Sequence, residues 1–197
     1  MKIFYLTLFL LLGNIKTTLA ASLVPTINYT GAVAAQRPSY LEMTTATGAK
    51  SANSLSQWLR WQQPLTTGVL PLSNYGTEGS IITFNLNSNF RYEFEWQFET
   101  VELDKDIFFI WNGKNFTTLA TGVTATLPIA NTTKRVSPWL KTTTANTPTL
   151  SLILMDTKDK LRTSTVRVKS FNQIPEPSAV IGLVVVMGVR IRKQTRN

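Results

Sequence analysis

Residues 90–98 read Phe90-Arg91-Tyr92-Glu93-Phe94-Glu95-Trp96-Gln97-Phe98, an unbroken alternation of aromatic and polar side chains. Successive side chains of a β-strand point to opposite faces, so this period of two predicts a strand with one aromatic face and one polar face. We expect the aromatic face to pack as core against a second sheet. The alternative interpretation is an exposed aromatic platform that binds sugar.

Further strands are predicted around this segment from alternation and from apolar runs that end at turn residues. They cover residues 80–86, 107–111, 114–120, 136–141, 149–155 and 161–171. The Asn112-Gly113 pair predicts the turn of a hairpin, and Pro138 favours an edge position for its strand. So many short strands with frequent turns predict an all-β fold, an antiparallel β-sandwich that is jelly-roll-like.

One short helix is predicted near the N-terminus, over Ser51–Trp61. Leu55, Trp58 and Leu59 fall at the i, i+3 and i+4 positions of one helical face. Asn53 or Ser54 is the expected N-cap, because a short polar side chain can accept a hydrogen bond from the first helical turn.

The first twenty residues have the pattern of a secretory signal peptide. Lys2 provides the positive start, residues 3–12 form an apolar run interrupted only by Thr7, and small residues follow. Cleavage is expected after Ala20. An uncleaved membrane anchor is the alternative, but a run of about ten residues is shorter than the roughly 20 that span a bilayer.

The other end of the chain carries Pro175-Glu176-Pro177, an apolar run over residues 179–189, and a basic cluster of Arg190, Arg192, Lys193 and Arg196. This order resembles the PEP-CTERM sorting signal of exported proteins in Gram-negative bacteria. The resemblance covers residues 173–197. It implies a membrane-bound exosortase-type enzyme as partner, which cleaves at the motif during export. The eleven apolar residues would cover only about 16 Å, which suits a transient stop in the membrane better than a lasting span.

The central region also resembles a recurring domain of cyanobacterial-type PEP-CTERM proteins. The matching segments are the residues 54–59, Glu78-Gly79-Ser80, residues 94–99 and residues 106–110. The resemblance implies a jelly-roll-like sandwich with no established activity. Residues 21–172 are therefore expected to form one domain between the two terminal signals.

Composition narrows the functional classes. The chain has no cysteine and no histidine, which excludes disulfides, histidine-based triads and the usual zinc sites. Outside the two terminal segments the 14 basic and 10 acidic residues are spread along the chain, so we expect no nucleic-acid partner. The protein is not predicted to be an enzyme.

Two groups of carboxylates are the candidate sites. Glu99, Glu102, Asp104 and Asp106 lie within eight residues between two predicted strands, and their oxygens could bind calcium. The alternative is a solvated acidic turn. Glu93 and Glu95 share one strand face at about 7 Å, a separation also found in glycosidases, although a plain polar strand face has the same pattern.

These observations predict a non-enzymatic protein of the cell surface or the extracellular polysaccharide matrix of a Gram-negative bacterium. Exosortase-type processing, passage through the membrane during export, and contact with extracellular polysaccharide are the expected interactions. No cofactor is expected apart from calcium. The alternative is a carbohydrate-binding jelly-roll module with a calcium-supported loop, which would require an exposed aromatic pair.

Overall fold

The computed structural model describes residues 26–37, 40–62, 71–102, 106–144, 146–157 and 163–175. Within them lie one α-helix, α1 (Ala52–Gln62), two short 3₁₀ helices (Leu72–Asn74 and Gly122–Thr124) and thirteen strands. Those before the helix are β1 (Thr26–Thr30), β2 (Ala32–Arg37), β3 (Tyr40–Thr44) and β4 (Lys50–Ser51). Those after it are β5 (Glu78–Asn85), β6 (Phe90–Thr100), β7 (Asp106–Trp111), β8 (Phe116–Thr121), β9 (Leu127–Pro128), β10 (Arg135–Val136), β11 (Leu140–Thr143), β12 (Thr149–Asp156) and β13 (Thr165–Pro175).

The strands form two antiparallel sheets. The first sheet has the order β1-β5-β12-β7-β8 with β4 beside β5, and the second has the order β2-β3-β13-β6-β10-β9 with β11 also beside β6. Eight of these strands lie in the order β5-β12-β7-β8 in the first sheet and β3-β13-β6-β11 in the second. This connectivity is that of a jelly roll, so the predicted fold class is confirmed.

The core between the sheets contains the aromatic face of β6. Tyr92, Phe94, Trp96 and Phe98 are all buried. Phe94, Trp96 and Phe98 pack with apolar residues of β5, β7 and β12 from the facing sheet, and the Tyr92 ring lies 5.4 Å from that of Phe171. The core interpretation of the aromatic strand is therefore confirmed. The sugar platform on β6 is wrong because these four rings are buried and Phe90, at the start of the strand, is half-buried.

The helix adds a third layer on the opposite side of the first sheet. Leu55 and Leu59 of α1 pack with Ile81, Phe109 and other residues of that sheet face. The helix begins one residue later than predicted, and its cap differs from the expectation. Ser51 precedes the first turn, and its Oγ accepts a hydrogen bond from the Ser54 amide at 3.3 Å. Asn53 and Ser54 lie inside the helix.

The four strands before the helix were not predicted. Residues 26–37 run as one segment that pairs with β5 in the first sheet and then, after Gly31, with β3 in the second. Gly31 has a positive φ of 91° at this crossing. The Ser80 hydroxyl joins the sheets at the same point, since it accepts from the Ala32 amide at 2.9 Å and donates to the Thr44 carbonyl at 2.7 Å.

The predicted hairpin is confirmed. Strands β7 and β8 pair antiparallel, and the Asn112 side chain accepts hydrogen bonds from the Lys114 and Asn115 amides in the turn. The predicted strand over residues 136–141 is instead two short strands, β10 and β11, because Pro138 interrupts pairing with β6.

The predicted terminal signals lie almost entirely outside the described residues. The signal peptide over residues 1–20, Glu176, Pro177 and the basic tail are not among them. Strand β13 continues beyond the expected domain boundary at residue 172 and pairs Pro175 with Phe90. In the part of the chain that the structure describes, no helix is long and apolar enough to cross a membrane.

Candidate functional site

The candidate site is the outer face of the second sheet, the side that points away from the sandwich core. Because strand side chains alternate, the polar partners of the buried aromatic residues on β6 all point to this side. The register places Arg167 between Glu42 and Gln97, and Glu95 between Lys141 and Lys169. Four strands thus present charged side chains to one surface, which we call the outer face.

One ion-pair group on the outer face is centred on Glu99. Its side chain is only 8% exposed, and its two oxygens contact Lys134 Nζ at 2.7 Å and Arg167 Nη1 at 2.8 Å. Arg167 also donates from Nε to Glu42 at 2.9 Å. Burial raises the pKa of Glu99, but the hydrogen bonds and charges of Lys134 and Arg167 outweigh it and hold the pKa below its usual value.

This group predicts acid-sensitive stability. A lowered pKa in the folded state adds stability above the unfolded value of about 4.3, and that stability is lost as the pH falls through the folded pKa. Replacing Glu99→Gln should lower the free energy of unfolding at pH 7 by about 2 kcal/mol, because two cations lose a charged partner. Urea unfolding of both proteins at pH 7, 5 and 3 should show the difference shrinking in acid.

Glu93→Gln is the matched control, since Glu93 is more exposed and its one ion pair among the described residues is with Lys141, at 3.3 Å. Its effect at pH 7 should stay below about 1 kcal/mol. Equal losses in the two variants, or a Glu99→Gln difference that persists at pH 3, would contradict the assignment.

A second group links Glu93, Lys141, Glu95 and Lys169 in a row. Lys141 Nζ lies 3.3 Å from Glu93 and 3.5 Å from Glu95, and Lys169 Nζ lies 3.2 Å from Glu95. The hydrogen bond from Lys169 is the main cause of a lowered pKa for Glu95. Glu93 and Glu95 share a face as predicted, and the lysines beside them hold both as ion-paired carboxylates, which is the arrangement of a polar strand face.

Trp139 lies at the edge of the outer face, and the sequence analysis missed it. Leu140 is the register partner of Trp96, so the residues on either side of it, Trp139 and Lys141, turn toward the outer face. Lys169 Nζ lies 4.0 Å from the centre of the Trp139 ring. The alternation of Trp139, Leu140 and Lys141 indicates that Trp139 lies on the same face as Lys141. The sequence did not show which face this is, because Pro138 only favours an edge strand.

A second aromatic residue lies on the opposite side of this surface. Tyr40 begins β3, and the Arg167 guanidinium carbon lies 5.8 Å from its ring centre. The outer face therefore has an aromatic residue beside its charged rows at both sides, each in contact with a cation from the central strand β13.

The predicted calcium ligands are distributed over the end of the sandwich. Glu99 faces Lys134 and Arg167 on the second sheet. Glu102 is buried after β6, and buried Asp106 begins β7 opposite Asp156. Asp104 lies outside the described residues. Among the residues that are described, no three histidine, cysteine or acidic side chains form a group suited to a metal ion. The calcium site stays a prediction.

Comparisons with known proteins add no relative. No protein-family model matches the chain, and searches of curated proteins and of solved structures gave no match.

Proposed function

We propose that this chain is an exported, non-enzymatic protein of the bacterial cell surface or extracellular matrix. The observation that carries the proposal is the pair of terminal patterns, an N-terminal signal peptide and a C-terminal Pro175-Glu176-Pro177 motif with an apolar run and a basic tail. An exosortase-type enzyme would process the second pattern during export.

The fold supports this proposal. A jelly roll without cysteine holds itself together through two apolar clusters, one between the sheets and one beneath the helix. Its outer face carries carboxylates that are held in ion pairs with lysine or arginine. Such a face is suited to binding through many weak polar contacts, which is the role expected of a surface or matrix module.

Processing at both ends is the test of this function. The mature protein recovered from the cell surface should begin at Ala21 and lack the basic residues after the apolar run. Intact-mass analysis of the surface fraction measures both ends at once. Replacing Pro175-Glu176-Pro177 by three alanines is the control, and the basic tail should then be retained. Detection of Arg196 on the natural surface-exposed form would reject the sorting role.

A further inference from the structure

We propose that the outer face binds a neutral, hydroxyl-rich polysaccharide, with Trp139 and Tyr40 as its aromatic contacts. The inference rests on the proposed function, because export to the surface or matrix would place this face among extracellular polymers. It names the ligand class and the residues that the proposed function leaves open.

Trp139 is held in place by the backbone around it. The Ser137 amide donates to the Phe98 carbonyl at 2.8 Å, and the Phe98 amide donates to Ser137 Oγ at 3.0 Å. Gln97 Nε2 donates to the Ser137 carbonyl at 3.2 Å. These bonds fix the residues just before Trp139 to the central strand β6. A ligand that stacks on a fixed ring orders little additional chain, which favours binding.

The environment of the Trp139 ring also suits a sugar. The Lys169 ammonium group lies over the ring face as a cation–π contact, and it is held there by Glu95. Trp139 nevertheless remains 36% exposed. A sugar ring presents C–H groups on its face and hydroxyl groups at its rim. Exposed indole surface with charged groups beside it matches both parts of such a ligand.

The charges within the ion pairs of the outer face balance one another. The ion pairs of the outer face join four carboxylates to four cations, namely Glu42, Glu93, Glu95 and Glu99 with Lys134, Lys141, Arg167 and Lys169. Because the positive and negative charges of these ion pairs cancel, the pairs attract neither an acidic nor a basic polymer over a distance. They still offer hydrogen-bonding groups, so a sugar hydroxyl can donate to a carboxylate and accept from an ammonium group.

The outer face is wide enough for more than one sugar ring. Tyr40 and Trp139 lie on either side of the neighbouring strands β3, β13, β6 and β11. Three intervals between neighbouring strands amount to about 14 Å. That distance exceeds one sugar ring, so the surface fits a chain of several residues rather than a monosaccharide.

Affinity electrophoresis of the full-length chain in mild detergent tests the proposal. Native gels would contain hydroxyethylcellulose, dextran or galactomannan as neutral polymers, alginate as an acidic polymer, or no polymer. At least one neutral polymer should retard the protein. Alginate should also retard it because the full-length chain has a net charge of +9, and Trp139→Ala should leave that retardation unchanged. Trp139→Ala should weaken that retardation about tenfold or more, the loss expected when a central aromatic contact is removed. Trp61→Ala is the matched control, because this helix residue is 82% exposed on the other side of the molecule, and its retardation should be unchanged.

Tyr40→Ala, on a different strand, should weaken retardation about threefold, and it keeps the test decisive if Trp139→Ala does not fold. Retardation by alginate alone, by no polymer, or equally in the wild type and a folded Trp139→Ala protein would overturn the proposal. The gels use the unprocessed chain, so they measure polysaccharide binding even if the ends are not processed as proposed. Conversely, a failure to bind polysaccharide would not contradict the export proposal.

Discussion

Replacing Trp96→Ala is expected to lower the free energy of unfolding by about 3–5 kcal/mol. Trp96 is 3% exposed in the core between the sheets, and its ring meets Phe108 of the opposite sheet edge-to-face at a centroid distance of 5.3 Å. Its indole N–H also donates to Thr142 Oγ1 at 2.8 Å. Truncation would remove a large apolar surface and leave a cavity that the flanking strands cannot close.

Equilibrium urea unfolding followed by far-UV circular dichroism measures this effect. Thr142→Val separates the hydrogen bond from the packing and should cost only about 1 kcal/mol. Trp61→Ala should lie within about 0.5 kcal/mol of the wild type, because that side chain is largely in solvent. A loss below about 1 kcal/mol for Trp96→Ala would place the aromatic face of β6 in solvent and contradict the sandwich core.

Replacing Gly31→Ala is expected to cost about 3 kcal/mol, from backbone strain and steric overlap together. A Cβ atom at this position would lie 2.7 Å from the Gly79 carbonyl oxygen and 2.8 Å from Ser80 Cα, both of them backbone atoms. Relief would require the crossing segment to move away from β5, which would disturb the Ser80 hydrogen bonds to Ala32 and Thr44.

Gly48→Ala is the matched control for this variant. Gly48 also has a positive φ, 104°, but the nearest contact of an added Cβ would be the Ala32 Cβ at an ordinary 3.6 Å. It should therefore show the strain alone, about 1–2 kcal/mol. Thermal melts of the two variants measure the difference. Equal shifts in melting temperature would show that steric overlap at the sheet crossing adds nothing.

The strands that the sequence predicted well are those with a complete pattern of their own. The alternation in β6 and the apolar run of β7 before Asn112-Gly113 each predict a strand from the local sequence alone, whatever strands lie beside them. Residues 26–37 could not be found in this way, because edge strands are only half-buried and this one changes sheets in its middle. The bulge in β13 has a similar effect, since it lets Phe171 join the core out of phase with Val166 and Val168.

The candidate site was less predictable than the fold. The shared face of Glu93 and Glu95 follows from alternation along one strand. Their partners, Lys141 and Lys169, lie on two other strands, and only the register between strands brings them together. Glu99 was grouped with the acidic loop because of its position in the sequence, whereas the sheet pairs it with Arg167, a residue 68 positions away.

The central position of β13 has a mechanical consequence. This strand lies between β3 and β6 and is paired with β6 from Thr165 to Pro175. Interstrand hydrogen bonds in an antiparallel sheet run perpendicular to the strands. Tension applied along the chain beyond Pro175 would therefore shear many of these bonds at once instead of opening them one after another. The outer face and β13 belong to the same sheet. Force between a polymer bound to the outer face and the C-terminal end of β13 would therefore be carried by the second sheet alone, without passing through the helix or the first sheet.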